Sequence, residues 1–283
     1  MIPRTRDGET NGEDVMIADF KQQTAVITGA GSGIGRATAL AFAREGAEIV
    51  VSDINPERAE RVAREIVDLG GRAIGVRCDV SQSSELQALR EAALDAFGRI
   101  TILMNNAGIV ISGPFLEVDM QNWRRSVEIN LFAVIEATQL MLPDILKAGT
   151  GHIINVASVA ALYPYNVDRM SYNAARAAVV SFSESLAMDL WTKGIGVTLL
   201  CPGPTRTNMI ENMHFIGEPA LTAPDLPLTE PEVLGEKMVA ALRSGTFFVP
   251  GNEEVHEIFA RRGANPDAFL REAAEKIAAK RGA

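Results

Sequence analysis

TGAGSGIG, residues 28 to 35, decides the fold of this chain. It follows TAVIT (24–28), a short apolar and β-branched run, and leads into a segment whose apolar residues recur with helical period. Strand, glycine-rich loop and helix start together present free backbone N–H groups and the positive end of a helix dipole, an arrangement that favours an anion. Gly29 lets the chain turn, while Gly33 and Gly35, interleaved with Ser32 and Ile34, allow a pyrophosphate to approach the backbone. The spacing G-x-x-x-G-x-G differs from the commonest dinucleotide fingerprint, and a purely structural turn is the competing explanation.

Outward from the loop, EIVVS (48–52), AIGVR (73–77), ITILM (100–104), HIINVA (152–157) and GVTLL (196–200) are apolar on both faces. Parallel strands buried between two helix layers have that character. FFVP (247–250) reads as a last, edge strand. Between the strands, Asn55 and Pro56 start a helix, Gly70-Gly71 stops it, and Ala59, Val62, Ala63, Ile66 and Val67 face inward. Thr229 and Glu232 spell a capping box for a later helix. Repeated strand–helix–strand units predict a single doubly wound, Rossmann-like α/β sheet of about seven parallel strands flanked by helices. Residues 1–18 are expected to be a disordered tail, 19–251 the dinucleotide-binding and catalytic domain, and 252–283 a helical extension of it. The stretch from 204 to 228 lacks periodicity at a length that suggests a functional lid.

A chain of 283 residues with 47% hydrophobic content can bury a core, and a net charge of -9 argues against nucleic acid as a partner. Cys78 and Cys201 lie in apolar surroundings without a C-x-x-C pattern, so neither disulfides nor zinc are expected, and no metal-ligand spacing occurs elsewhere. The polar, acidic first residues do not read as a signal peptide. No uninterrupted apolar run reaches the roughly 18 to 20 residues of a membrane helix. A cytoplasmic protein without membrane attachment is the expectation.

Asp53 ends the second strand, where a carboxylate can accept both hydroxyls of an adenosine ribose. A 2′-phosphate would be repelled there, and neither Ser32 nor Ile54 supplies a compensating cation, so NAD is expected over NADP. The same acid could serve only the turn. In SYNAAR (171–176), Tyr172 and Arg176 are four residues apart and share a face if helical. A cation at about 5 Å favours a phenolate by about 3 kcal/mol at an effective dielectric of about 20.

These pieces resemble the short-chain dehydrogenase/reductase family across about residues 20 to 250. TGAGSGIG is similar to its cofactor loop, and Asp79 and Val80 fall where the family contacts adenine. NNAG (105–108), with Asn106, Ala107 and Gly108, is similar to its motif after the fourth strand, and CPGPTRT (201–207), with Pro202, Gly203, Thr205 and Thr207, to its nicotinamide-end turn. Asn130, Ser158 and Tyr172 match three of the four catalytic positions; the fourth is lysine in the family and Arg176 here. The resemblance implies an NAD-dependent oxidoreductase in which Tyr172 is the acid/base, and assembly as a homo-oligomer, a tetramer or dimer, through helices 119–147 and 171–193. Apolar walls at 109–115 and 159–167, and a lid carrying Met209, Met213, Phe215 and Ile216, suit a small hydrophobic alcohol or ketone as substrate. Arginine supplies the positive field but releases protons poorly, which predicts a slowed enzyme. It leaves open an NAD(H) sensor with little catalysis, and a redox-neutral epimerase or dehydratase is a third alternative.

Overall fold

Seven strands lie in one parallel sheet in the computed structural model, which describes residues 16–163, 165–209, 213–219 and 226–281. In chain order the strands are β1 (Thr24–Thr28), β2 (Glu48–Asp53), β3 (Arg72–Arg77), β4 (Ile102–Asn105), β5 (Ile111–Ser112), β6 (Gly151–Val156), β7 (Ile195–Cys201), β8 (His214–Phe215) and β9 (Phe248–Pro250). The sheet order is β3-β2-β1-β4-β6-β7-β9, and β9 is the edge strand expected of FFVP. The chain first builds outward from β1 to β3, then returns to place β4 on the other side of β1. That reversal is a topological switch point, where loops leave the strand ends in opposite directions and open a crevice.

Alternate residues of each buried strand feed two cores. From β1, Ala25 and Ile27 join Phe42, Ile49, Ile66 and Met238 beneath α1 (Gly33–Arg44), α2 (Pro56–Asp68) and the later helix Pro231–Ser244. Val26 points the other way, to Leu86, Leu103, Met141 and Ile153 under α3 (Ser83–Phe97) and the later helices. Those are α4 (Met120–Val127), α5 (Ala133–Ala148), α6 (Val159–Leu162) and α7 (Met170–Leu190), after which Pro231–Ser244 is α8. The helical extension expected over 252–283 is α9 (Glu254–Ala264) and α10 (Pro266–Arg281).

Several local expectations are corrected. Residues 1–15 lie outside the described residues, but Ile17 is buried and donates its N–H to the Leu242 carbonyl at 2.9 Å. The packed chain thus begins before residue 19. Val67 is 50% exposed because α2 ends one residue later, before its face meets a partner. The Thr229 hydroxyl accepts from Asn252 at 3.1 Å and does not cap α8, which starts instead at Pro231, whose fixed φ suits a first helical position. The expected single helix over 119–147 is α4 and α5 joined by a wider π turn, Glu128–Phe132. Met120–Ala148 as a whole is long and apolar enough to cross a membrane by length and composition, although no uninterrupted apolar run within it is. Its Val134, Ala137, Met141 and Ile145 are buried against the rest of the protein. In the expected lid, β8 pairs with β5 as a separate two-stranded parallel ribbon; 210–212 and 220–225 lie outside the described residues.

Asn55 does cap α2, accepting from the Arg58 N–H at 2.7 Å. Replacing it with Ala should lower stability by about 1 kcal/mol in urea unfolding of the ligand-free protein.

Candidate active site

The crevice at the switch point encloses about 390 Å³. Its floor is the glycine loop. Gly29 has φ +63° and a Cβ there would lie 2.9 Å from the Ala107 backbone; Gly33 has φ +54° and faces Thr207. Ser32 is extended and its side chain does not cap α1, so the first-turn N–H groups of a helix whose Ser32, Gly33 and Ile34 line the crevice keep their donors for a ligand. Gly35 acts differently, because it is buried and a Cβ would sit 2.6 Å from Asn106 Nδ2 and the Gly29 carbonyl. It brings helix and loop together and is not among the residues lining the crevice.

Asp53 lines the crevice while holding its own turn, since Oδ2 accepts from Gly31 N–H and Oδ1 from Asn55 N–H, each at 3.0 Å. The turn explanation of this acid therefore applies, and its place on the crevice wall is compatible with a ligand contact. Arg58 lines the crevice beside it. Inspection of positions 32 and 54 missed this cation because it comes from the first turn of α2; its signal was the Asn55 cap, which fixes where residue 58 points. Val80 and Asp79 also line the crevice, the latter accepting from the Ser81 N–H and hydroxyl.

The NNAG loop is stitched to the end of β1. Asn106 and Ala107 donate backbone N–H groups to the Thr28 hydroxyl at 3.0 and 3.1 Å, and Asn106 Nδ2 donates to the Thr28 and Gly29 carbonyls. Asn105 bonds Thr138 and Asn155 behind it. Asn106, Ala107 and Gly108 are thereby held along the crevice wall.

Asn130, Ser158, Tyr172 and Arg176 come from three elements. Asn130 sits in the π turn, a type of irregularity common at functional sites. Its amide holds the neighbouring loop, accepting from Ile109 N–H at 3.1 Å and donating to the Ile109 and Ser126 carbonyls at 2.9 Å. Its backbone carbonyl is left facing Arg176. Ser158 ends the β6 segment and caps α6, accepting from Ala160 N–H at 3.1 Å. Tyr172 and Arg176 both lie on α7, buried, with the guanidinium carbon 5.5 Å from the phenol ring centre. Around Tyr172 pack Val110, Ala160, Tyr165 and Met213, so one lid methionine reaches this cluster. Burial, then the Tyr172 charge, pushes the Tyr165 phenol up to about 12, opposed by Arg169, which hydrogen-bonds it.

The Pro-Gly turn closes this end. Pro202 accepts from the Val159 N–H at 2.9 Å, Gly203 leaves room for Asn252, and the Thr205 hydroxyl donates to the Gly203 carbonyl at 3.1 Å. Of these only Thr207 lines the crevice; Pro202, Gly203 and Thr205 shape the turn behind it. Among the described residues no cluster of three or more His, Cys, Asp or Glu is placed to hold a metal ion.

Comparison with known proteins places the chain. The pattern described as short chain dehydrogenase matches residues 23–214. The chain belongs to that family. It is 36% identical over 245 residues to a cyclohexanol dehydrogenase of Acinetobacter sp. (strain SE19), covering 86% of this chain and 96% of the relative. It is 40% identical over 189 residues to a 7alpha-hydroxysteroid dehydrogenase of Escherichia coli (strain K12), covering 67% and 73%. A short chain dehydrogenase/reductase from Burkholderia phymatum in complex with NAD superposes with a TM-score of 0.80 at 28% identity, over 89% of this chain and 96% of the other. A 7 alpha-hydroxysteroid dehydrogenase complexed with NADH and 7-oxo glycochenodeoxycholic acid gives 0.74 at 31%, over 86% and 97%.

Both cysteines are buried and free, and burial pushes each thiol up to about 12. The reactive thiolate is therefore absent at ordinary pH. Ellman's reagent at pH 8 should leave the native protein unmodified and titrate both thiols once urea unfolds it.

Proposed function

We propose that the protein is an NAD-dependent oxidoreductase that interconverts a hydrophobic secondary alcohol and its ketone. The observation that carries this is the pairing on α7 of a phenol and a guanidinium 5.5 Å from its ring, directly behind Ala107, Gly108 and Val110 of the crevice wall. The crevice suits the cofactor: uncapped first-turn N–H groups for the pyrophosphate, and Asp53 for the adenosine ribose. When bound, NAD supplies the two-electron acceptor, taking a hydride from the carbinol carbon.

The chain's own residues handle the proton. Tyr172, as phenolate, takes the alcohol's hydroxyl proton while the carbon–oxygen bond becomes a carbonyl, and returns it in the reverse direction. The Ser158 hydroxyl, its oxygen already accepting from Ala160, retains a proton to donate to the substrate oxygen. Arg176 stabilises the phenolate. Val110, Ala160, Tyr165 and Met213 make an apolar wall that excludes water. The names of the relatives, a cyclohexanol and a hydroxysteroid dehydrogenase, support a cyclic, apolar substrate.

Homo-oligomer formation belongs to the same reading: Met120 and Phe132 on the α4–α5 run, and Met188 and Trp191 at the end of α7, are large, apolar and exposed. Free, buried thiols suit a reducing, cytoplasmic setting. An NAD(H) sensor with weak catalysis is the second reading, favoured by the contacts of Arg176 with backbone carbonyls.

Assayed by NADH formation over a panel of cyclic alcohols, Tyr172→Phe should lose about 10²-fold or more in turnover, with NAD affinity by calorimetry changed less than about threefold. Equal turnover in the variant would favour a sensor. Asp53→Asn should raise the preference for NADP relative to NAD by about tenfold or more, because Arg58 then faces a 2′-phosphate without the opposing carboxylate; steady-state kinetics with both cofactors measures this.

A further inference from the structure

Arg176 is 1% exposed, and no carboxylate pairs with it among the described residues. A buried cation without a counter-ion is costly unless dipoles are aimed at it. Three carbonyls do this. Nη1 donates to Val156 O at 2.9 Å and, at longer range, to Asn130 O at 3.5 Å, while Nη2 donates to Ala107 O at 3.4 Å. They come from the end of β6, the π turn and the loop after β4. A single lysine ammonium is a point donor; the planar fork of arginine can address all three.

The fork needs space, and one residue leaves it. A Cβ built on Gly108 would overlap Arg176 Nη2, and would lie 2.8 Å from Asn130 Oδ1. Gly108 is not among the glycines with positive φ, so its backbone would accept alanine without strain. What a side chain there meets most severely is the guanidinium, with Asn130 Oδ1 the lesser obstacle. The direct Nη1 to Asn130 contact also leaves no gap for a water molecule between cation and carbonyl.

We propose that Gly108 is a positioning residue for the reaction: its missing side chain is the seat of the Arg176 guanidinium, which fixes the cation beside Tyr172 and occupies the Asn130 carbonyl directly. This rests on Tyr172 being the acid/base, but the seat itself can be tested apart from catalysis. The experiment compares wild type, Gly108→Ala, Arg176→Lys and the double variant, each by urea unfolding without ligand and by NADH-linked kinetics. Alanine alone should lower the urea midpoint and reduce kcat by about 10²-fold, since a displacement of about 1 Å at a catalytic group has that effect, with KM for NAD nearly unchanged. In the Arg176→Lys background, where Nη2 is gone and only the Asn130 Oδ1 contact remains, the same alanine should cost less than about tenfold in kcat and shift the midpoint by clearly less than it does with arginine present. If Gly108→Ala does not fold but the double variant does, the seat is supported. An alanine penalty of equal size in both backgrounds, or failure of both to fold, overturns it. If none of the four oxidises any alcohol, the Tyr172 reading fails while the urea cycle still decides the seat.

Discussion

A parallel sheet that grows from β1 outward to β3 and then restarts on the opposite side of β1 has one place where consecutive loops are driven apart, at the carboxyl ends of β1 and β4. The crevice depends on that separation. The Thr28 hydroxyl at the end of β1 receives the N–H groups of Asn106 and Ala107 from the end of β4, tying the two edges of the gap to a fixed width. The glycine loop can then lie flat against one edge, with uncapped helix N–H groups facing the opening.

The chemical end is built differently, from irregularities placed where regular structure would have kept atoms apart. The π turn at Glu128–Phe132 turns the Asn130 carbonyl toward α7, and the Asn130 amide locks the turn to Ile109. The break after β6 puts Ser158 at the cap of α6, which packs on α7. The small parallel ribbon of β5 and β8 brings Met213 over the phenol that these elements surround. Arg176 then links the pieces electrostatically, a cation compensated by carbonyl dipoles from three separate segments and by the face of Tyr172.

Legibility in the sequence followed the range of the forces involved. The strands were readable because burial on both faces demands continuous apolar runs, and the end of each run lies within a residue or two of its strand in the structure. The start of α2 was readable because Asn55 caps through a contact three residues away. Thr229 misled because its hydroxyl had a competing partner, Asn252, over twenty residues distant, and Val67 misled because a helical period cannot say where the helix above the core stops. The glycines of the cofactor loop looked equivalent, yet Gly35 touches Asn106, far along the chain.

By itself the sequence determined the alternation of strand and helix, the position of the glycine-rich loop and the placement of Tyr172 and Arg176 on one helical face, since each follows from local periodicity or from the conformational freedom of glycine. Only the tertiary structure decided that Arg58 stands beside Asp53, that the Asn130 carbonyl faces Arg176, and that a Cβ on Gly108 would meet the guanidinium. The contacts of Asn130 and Gly108 with Arg176 join segments dozens of residues apart, and their distances are set by how the sheet and its two helix layers close, not by any spacing along the chain.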